Sequence, residues 1–252
     1  MTPPFVIRAS GIWSDGQVTA QWTSSTRRSI PDVQQQIDAA WLRASQRLGD
    51  RLFDGPMCRL ERWTATTERL QLHISPASYK PFYGTNLTRA AELAEQYGAD
   101  VLVNPIGLSA LVESVDGWLL LGRRNSSVAY YPGRIHPFAG SLEPAVDHSD
   151  PDVFKEMRRE LREELSLTES DLLSLRCIGM VEDLALLQPE LIFHAGARRT
   201  RDEIEAMLAP EEHRSLHAIE ANRTAVARAL EDADLTPVAS AALALWRGLP
   251  DR

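Results

Sequence analysis

The sequence predicts an α/β protein, a sandwich with a mixed sheet between helices and an α+β extension at the N-terminal end. Two observations carry this. Strand-like segments come first, then a helix, then strands, then helices, an order that neither an all-helical nor an all-strand chain shows. The strongest hairpin signal, Asp116-Gly117 between two apolar runs, is followed by a loop rich in Pro and Gly and then by an amphipathic helical stretch.

The elements are read in chain order. Residues 5–10 (FVIRAS) and 17–24 (QVTAQWTS) look extended, with Asp15-Gly16 as a turn between them. Residues 31–46 look helical, with Ser29 as the N-cap. Residues 58–65 (CRLERWTA) and 69–75 (RLQLHIS) alternate apolar and polar side chains and suit a hairpin. Residues 87–98 form a short helix closed by Gly98. Residues 108–115 and 118–124 are the two strands joined at Asp116-Gly117. The loop of residues 130–150 leads into a helix that starts at Asp150 or Pro151 and ends near Leu165. Residues 175–187 and 190–199 read as later strands, and the C-terminal segment as mostly helical. A boundary near residues 100–106 divides an N-terminal α+β extension, 1–105, from a core domain, 106–252. No flexible linker marks it, so the two parts are expected to dock tightly.

Bulk properties narrow the function. Of the 252 residues, 44% are apolar and 25% charged, which is ordinary for a soluble globular protein with a real core. The net charge of −8 and the lack of a dense Lys/Arg block argue against a nucleic-acid partner. The two cysteines, Cys58 and Cys177, are too few and too far apart for a disulfide framework or a cysteine zinc cluster, which fits a reducing compartment. The N-terminus lacks the basic start and apolar run of a signal peptide, and no stretch is long and apolar enough to span a membrane. A cytoplasmic location without a membrane partner is the expectation.

Residues 150–167 (DPDVFKEMRRELREELSL) carry the chemistry. At about 100° per residue, Glu156, Glu160, Glu163 and Glu164 fall within an arc of roughly 100°. Phe154, Met157, Leu161 and Leu165 form the neighbouring apolar stripe. Carboxylates crowded on one face repel one another, and a hard cation, Mg²⁺ or Mn²⁺, would relieve this. The same acids also suit a solvated face held by ion pairs such as Arg159 with Glu163.

The order of residues shifts that balance. Arg159-Glu160-Leu161-Arg162-Glu163-Glu164 resembles the R-E-U-x-E-E core of the Nudix box, where U is a bulky aliphatic. Residues 138–144 (FAGSLEP) resemble the loop that opens the box, with Gly140 as its glycine and Leu167 in its last aliphatic position. There are three departures. Ser166 stands where the box has glycine, Val146 stands where it has glutamate, and five residues are inserted around DHSDP. The resemblance implies a Nudix-type α/β/α sandwich and a hydrolase that cleaves a diphosphate within a nucleotide derivative. It implies that Glu160, Glu163 and Glu164 bind metal, with the Gly140 carbonyl as a further ligand. Arg159 would orient one of these glutamates, and Glu143 or an acid of the inserted loop would replace its missing partner. Glu164, Glu163, Glu182 and Glu190 are all candidates for the general base.

A closer resemblance lies upstream. Residues 52–56 (LFDGP), 78–86 (SYKPFYGTN), 104–107 (NPIG) and 133–144 (GRIHPFAGSLEP) recur in the order seen in the UDP-sugar pyrophosphatase branch of the Nudix hydrolases. The similarity spans roughly residues 38–195, and this branch shares both the lengthened loop and the replaced glycine. It implies hydrolysis of UDP-glucose or UDP-galactose to UMP and sugar 1-phosphate. Nudix proteins often pair, which raises a homodimer.

Within SYKPFYGTN, Tyr79, Phe82 and Tyr83 suit stacking on uracil, Lys80 a phosphate, and Thr85 and Asn86 a base or ribose edge. They equally suit a core cluster and a turn into the next helix. Arg123 and Arg124 precede the box loop, and since neighbours on a strand face opposite ways, at most one reaches the diphosphate. Glu143 belongs with these substrate-side candidates. His213 and His217 have the spacing of zinc-binding histidines on a helix, but Arg214 replaces the needed glutamate, so a solvated helix face is expected. His136 and His148 lie in or beside the loop as incidental residues. Two other readings remain open. One is hydrolysis of another nucleoside diphosphate derivative, such as ADP-ribose, another sugar nucleotide or a coenzyme. The other is a nucleotide-binding module that no longer hydrolyses.

Overall fold

The computed structural model describes residues 3–147, 149–210 and 213–250. The chain runs through strands β1 (Phe5–Trp13) and β2 (Val18–Trp22), helix α1 (Pro31–Leu48), the hairpin β3 (Pro56–Ala65) and β4 (Leu70–Ser78), and helices α2 (Tyr79–Gly84) and α3 (Asn86–Tyr97). It continues with β5 (Gly107–Glu113), β6 (Trp118–Arg124), β7 (Ile135–His136), β8 (Phe138–Ser141) and helix α4 (Val153–Leu165). Strands β9 (Leu172–Asp183) and β10 (Gln188–Ala197), helix α5 (Arg201–Ala206), β11 (His213–Glu220), and helices α6 (Arg223–Ala229) and α7 (Pro237–Arg247) complete it.

The strands form two sheets. The larger has the order β1-β9-β10-β5-β6-β11, with β7 on β6 and β8 on β5. It is mixed because β10 and β5 run parallel while the other pairs are antiparallel. The smaller has the order β2-β4-β3. Alternation along the central strands divides the core into layers. Leu108, Ala110, Val112 and Leu120 face α4 and the smaller sheet, whereas Leu111, Leu119 and Leu121 face α7. Helix α4 buries Phe154, Met157, Leu161 and Leu165 completely. Each such side chain contributes about 1.5–3 kcal/mol before entropy costs. Phe154 also meets Phe193 of β10 edge to face at 5.2 Å. The result is an α/β/α sandwich built on a mixed sheet.

One irregularity in the large sheet makes the site. β5 pairs with β6 only at Val112 and Glu113, next to the hairpin turn. Further back, Gly107 to Ala110 of β5 pair with β8, while Gly122 and Arg123 of β6 pair with β7. The sheet therefore forks, and the chain leaving the fork at Ser141 leads to α4.

Four local expectations are corrected. The C-terminal segment contains a strand, β11, which pairs with β6 over its whole length, and His213 and His217 lie on it rather than on a helix. Ladder hydrogen bonds and the apolar face of β6 outweigh the helix-like His spacing. Residue Ile30, not Ser29, precedes α1, and no side chain caps that end; Pro31 supplies the helical φ instead. Helix α4 begins at Val153, capped by Asp152, whose carboxylate accepts from Phe154 N at 2.9 Å and Lys155 N at 3.0 Å. Asp150 accepts instead from Trp22 N at 3.1 Å. Finally, β1 and β2 do not pair across Asp15-Gly16: β1 joins the large sheet against β9, and β2 the small one against β4.

Candidate active site

The fork places β8 against α4 at Glu160 and Glu164, and Gly140 makes their approach possible. A Cβ at Gly140 would stand 1.9 Å from Glu160 Oε1 and 2.1 Å from Glu160 Cδ. Any side chain there would expel the carboxylate. At the other end of α4, Ser166 adopts φ 54° and ψ 19°, the left-handed conformation that usually calls for glycine. The box glycine is thus replaced without loss of its backbone shape, at a cost of about 1 kcal/mol.

Arg159 gathers the acids of α4. Its guanidinium donates to Glu156 at 2.9 Å, Glu160 at 2.6 Å and Glu163 at 2.8 Å, and Glu143 lies 3.9 Å away. Partial burial works against its charge, but the Glu156 hydrogen bond and the fields of Glu160 and Glu163 prevail, and its pKa rises. Val146 is fully exposed, and the acids beside Arg159 outside the Glu160/Glu163 pair are Glu156 and, more distantly, Glu143. Glu164 turns inward. It is buried against His213 Nε2 at 3.1 Å and lies 3.3 Å from the Ala139 N–H of β8.

The acids open onto a cleft of about 1010 Å³, at the upper end of the usual size of small-molecule sites. Glu143, Arg159, Glu160 and Glu163 line it together with Ala139 to Ser141 of β8. The end of α1 (Arg47, Leu48), then Leu52, Phe53, Gly55, Pro56 and Met57, and Tyr79 and Tyr83 of α2 supply further lining, as does the loop 126–129. Tyr79 and Tyr83 stand edge-on to Trp41 of α1, with ring centroids 6.1 and 6.2 Å away.

The other sequence-derived candidates lie elsewhere. Lys80 pairs with Asp38 at 2.6 Å and is absent from the cleft lining. Thr85 is buried, donating to the Pro81 carbonyl at 2.7 Å. Asn86 is a staple: its amide donates to Asn104 Oδ1 and the Leu186 carbonyl, both at 2.9 Å, and its oxygen accepts from Val103 N at 3.0 Å. Arg123 reaches Asp234 at 2.8 Å, while Arg124 is buried over the Tyr130 ring at 4.6 Å. Glu182 pairs with Arg8 at 2.8 Å. Glu190 is buried over Gly107 and hydrogen-bonded by Ser109. Burial pushes its pKa up to about 7, with the Asp183 charge adding and the Ser109 hydrogen bond and Arg124 opposing. His136 is buried with its Nδ1 2.8 Å from Thr236 Oγ1, and desolvation lowers its pKa, so it is neutral. His148 lies outside the described residues.

Sequence reading missed Arg47 and the loop 126–129. Neither sits in a chemical motif, and only the docking of α1 on α2 brings Arg47 to the cleft. The LFDGP run directly after α1 was the available signal, since Leu52, Gly55 and Pro56 also line it.

Among the described residues, no three His, Cys, Asp or Glu side chains already converge as a metal-binding group. The donors nevertheless suit a hard divalent cation. Glu160 and Glu163 offer carboxylate oxygens at the cleft, and the missing Cβ of Gly140 lets the Glu160 carboxylate lie against the backbone.

The chain resembles Nudix hydrolases, and among them the UDP-sugar pyrophosphatase branch. It is 26% identical over 256 residues to the mouse protein named uridine diphosphate glucose pyrophosphatase NUDT22, covering 89% of this chain and 83% of that one. It is 31% identical to the human protein of the same name over 130 residues, 47% of this chain and 43% of that one. Among solved structures, an Ap4A hydrolase of C. elegans is 18% identical with a TM-score of 0.41, covering 56% of this chain and 92% of that chain. A MutT protein of Methanosarcina mazei Go1 is 16% identical with a TM-score of 0.39, covering 56% and 91%. No family model matches the chain.

Proposed function

We propose that this protein hydrolyses the diphosphate bond of a nucleoside diphosphate sugar, UDP-glucose or UDP-galactose, giving UMP and sugar 1-phosphate. The observation that carries the proposal is the cleft itself, which joins the acids of α4 to the aromatic wall of Tyr79 and Tyr83 on α2, braced from behind by Trp41 of α1. Its volume accommodates a nucleotide and a sugar together. The mouse relative, aligned over most of both chains, is named for UDP-glucose.

In this reading Glu160 and Glu163 would hold Mg²⁺, or Mn²⁺, with the Gly140 carbonyl as a further ligand. Such a cation supplies charge neutralisation on the diphosphate oxygens and lowers the pKa of attacking water. Arg159 gathers the carboxylates and holds them at the cleft. Glu163, exposed at the cleft, accepts the proton of the attacking water, and Glu164 fixes β8 against α4 through the Ala139 N–H. Tyr79 and Tyr83 form the base wall. In this proposal residues 1–105 form an extension that completes the cleft, and residues 106–252 carry the chemistry. Among the described residues no helix is long and apolar enough to cross a membrane. We place the protein in the cytoplasm.

The test is product analysis with Mg²⁺ and a panel of UDP-glucose, UDP-galactose, ADP-glucose, ADP-ribose and a nucleoside triphosphate. UMP and sugar 1-phosphate from the UDP-sugars alone is the expected result. Preferential turnover of another member moves the substrate assignment. Tight nucleotide binding without turnover of any member replaces hydrolysis with binding.

A further inference from the structure

Arg47 and Arg159 are the two cationic side chains lining the cleft among the described residues. Their situations differ. Arg159 is engaged by three carboxylates of its own helix. Among the described residues Arg47, in the last turn of α1, instead makes its side-chain hydrogen bond to a neutral group, donating from Nη2 to the Tyr83 hydroxyl at 3.1 Å. Its positive charge therefore remains available to a ligand, and the phenol of Tyr83 restricts where the guanidinium points. Tyr83 is held in turn by its ring contacts with Trp41 and Tyr79.

The cleft needs such a charge. Glu143, Glu160 and Glu163 all line it, so a diphosphate entering it meets three carboxylates. A divalent cation held by Glu160 and Glu163 would offset only part of that repulsion. A forked, permanently charged guanidinium on the wall contributed by α1 matches the oxygens of a phosphate. We infer that Arg47, positioned by Tyr83, clamps the anionic diphosphate of the substrate from the wall formed by α1 and α2. This rests on the nucleoside diphosphate reading above and deepens it. The N-terminal part then supplies a residue that touches the substrate, and α4 does not act alone.

The test compares binding of uridine, UDP and inorganic pyrophosphate to the full chain by calorimetry in Mg²⁺ buffer. The variants are Arg47→Gln, Arg47→Lys and Tyr83→Phe. Arg47→Gln should weaken UDP and pyrophosphate roughly 10- to 100-fold, the range for a lost charge-assisted pair, and leave uridine unchanged. Arg47→Lys should recover part of that loss, because it restores charge without the fork. Tyr83→Phe should lose several-fold of the preference for UDP over uridine, since the ring stays and only the orienting hydroxyl goes. Equal loss of uridine and UDP in Arg47→Gln overturns the inference, because Arg47 then supports the base wall or the fold. Unchanged pyrophosphate binding in that variant overturns it as well. Pyrophosphate carries no base or sugar, so weakened binding in Arg47→Gln upholds the clamp even where UDP-glucose proves not to be the substrate.

Discussion

Replacing Gly140 by Ala removes no hydrogen-bonding group, and Gly140 is not among the glycines with positive φ, so the backbone accepts the change. The whole effect is one methyl group. It would stand 1.9 Å from Glu160 Oε1, where contacts under 3.0 Å are not tolerated. The carboxylate must therefore retreat by about 1.5 Å to reach ordinary van der Waals contact. Glu160 is the flexible end of a long side chain, so the fold yields cheaply. Moving the carboxylate disturbs its pairing with Arg159, costing about 1–2 kcal/mol, which corresponds to a fall in Tm of roughly 2–8 °C. The site yields far less cheaply, because a displacement of about 1 Å in a reacting constellation costs roughly 100-fold in rate. Steady-state hydrolysis and a thermal melt on the same preparation separate the two effects. Turnover of Gly140→Ala should fall about 100-fold while most protein remains folded at assay temperature. Glu160→Asp shortens the side chain by one methylene, so the double variant should lose less than the product of the single losses. Wild-type turnover in Gly140→Ala would refute the close packing of Glu160 under β8 as a requirement of the site.

Three further outcomes are expected. Glu163→Gln should reduce kcat at least 100-fold and change stability by less than about 0.5 kcal/mol, because this side chain is exposed; turnover and denaturant titration check both halves. Glu190 titrates near 7 when folded and near 4.5 when unfolded, so the folded state binds the extra proton between these values. Its contribution is fully present below pH 4.5 and is lost as pH rises through 7, a fall of about 3 kcal/mol at most. Glu190→Gln should flatten that part of the stability profile, and an unchanged slope in urea titrations at pH 5, 6 and 7 would count against the buried-acid assignment. Asn86→Ala should cost about 2–4 kcal/mol, since it leaves the Val103 N–H and the Leu186 carbonyl without their partner. A variant of normal stability but weakened substrate binding would make Asn86 a ligand contact instead of a staple.

The box helix was legible because its two messages agree: apolar residues recur at helical spacing, and the acids follow them on one side. The hairpins at residues 58–75 and 108–124 were legible through alternation and turn residues. Strand β11 was not, because His213 and His217 stand four apart and mimic a helix face, and its pairing partner β6 lies about 90 residues earlier in the chain. The SYKPFYGTN run illustrates the limit at the site. Tyr79 and Tyr83 reach the cleft, while Lys80, Thr85 and Asn86 turn to partners on α1, α2 and the distant residues 103–104 and 186. A helix of six residues sends neighbouring side chains in different directions, and which direction faces the cleft is set by the packing of α1, not by the run itself. Glu163 and Glu164 show the same effect on α4, where adjacent acids separate into one at the cleft surface and one buried against His213.

The pairing of β1 with β9 bears on how this chain is made. β1 is finished at Trp13, and its partner begins only at Leu172. At a synthesis rate of about 5–20 residues per second, the strand waits roughly 10–30 s for that partner to be translated. Throughout that interval FVIRASGIW, with Ile7 and Ile12 on its surface, is an unpaired template for a neighbouring nascent chain. Arg8 interrupts its apolar run, and in the finished fold it meets Glu182 across the sheet. Neutralising Arg8 would therefore be felt most on the ribosome, as lost soluble yield, and least in the purified protein, where the ion pair is exposed and weak.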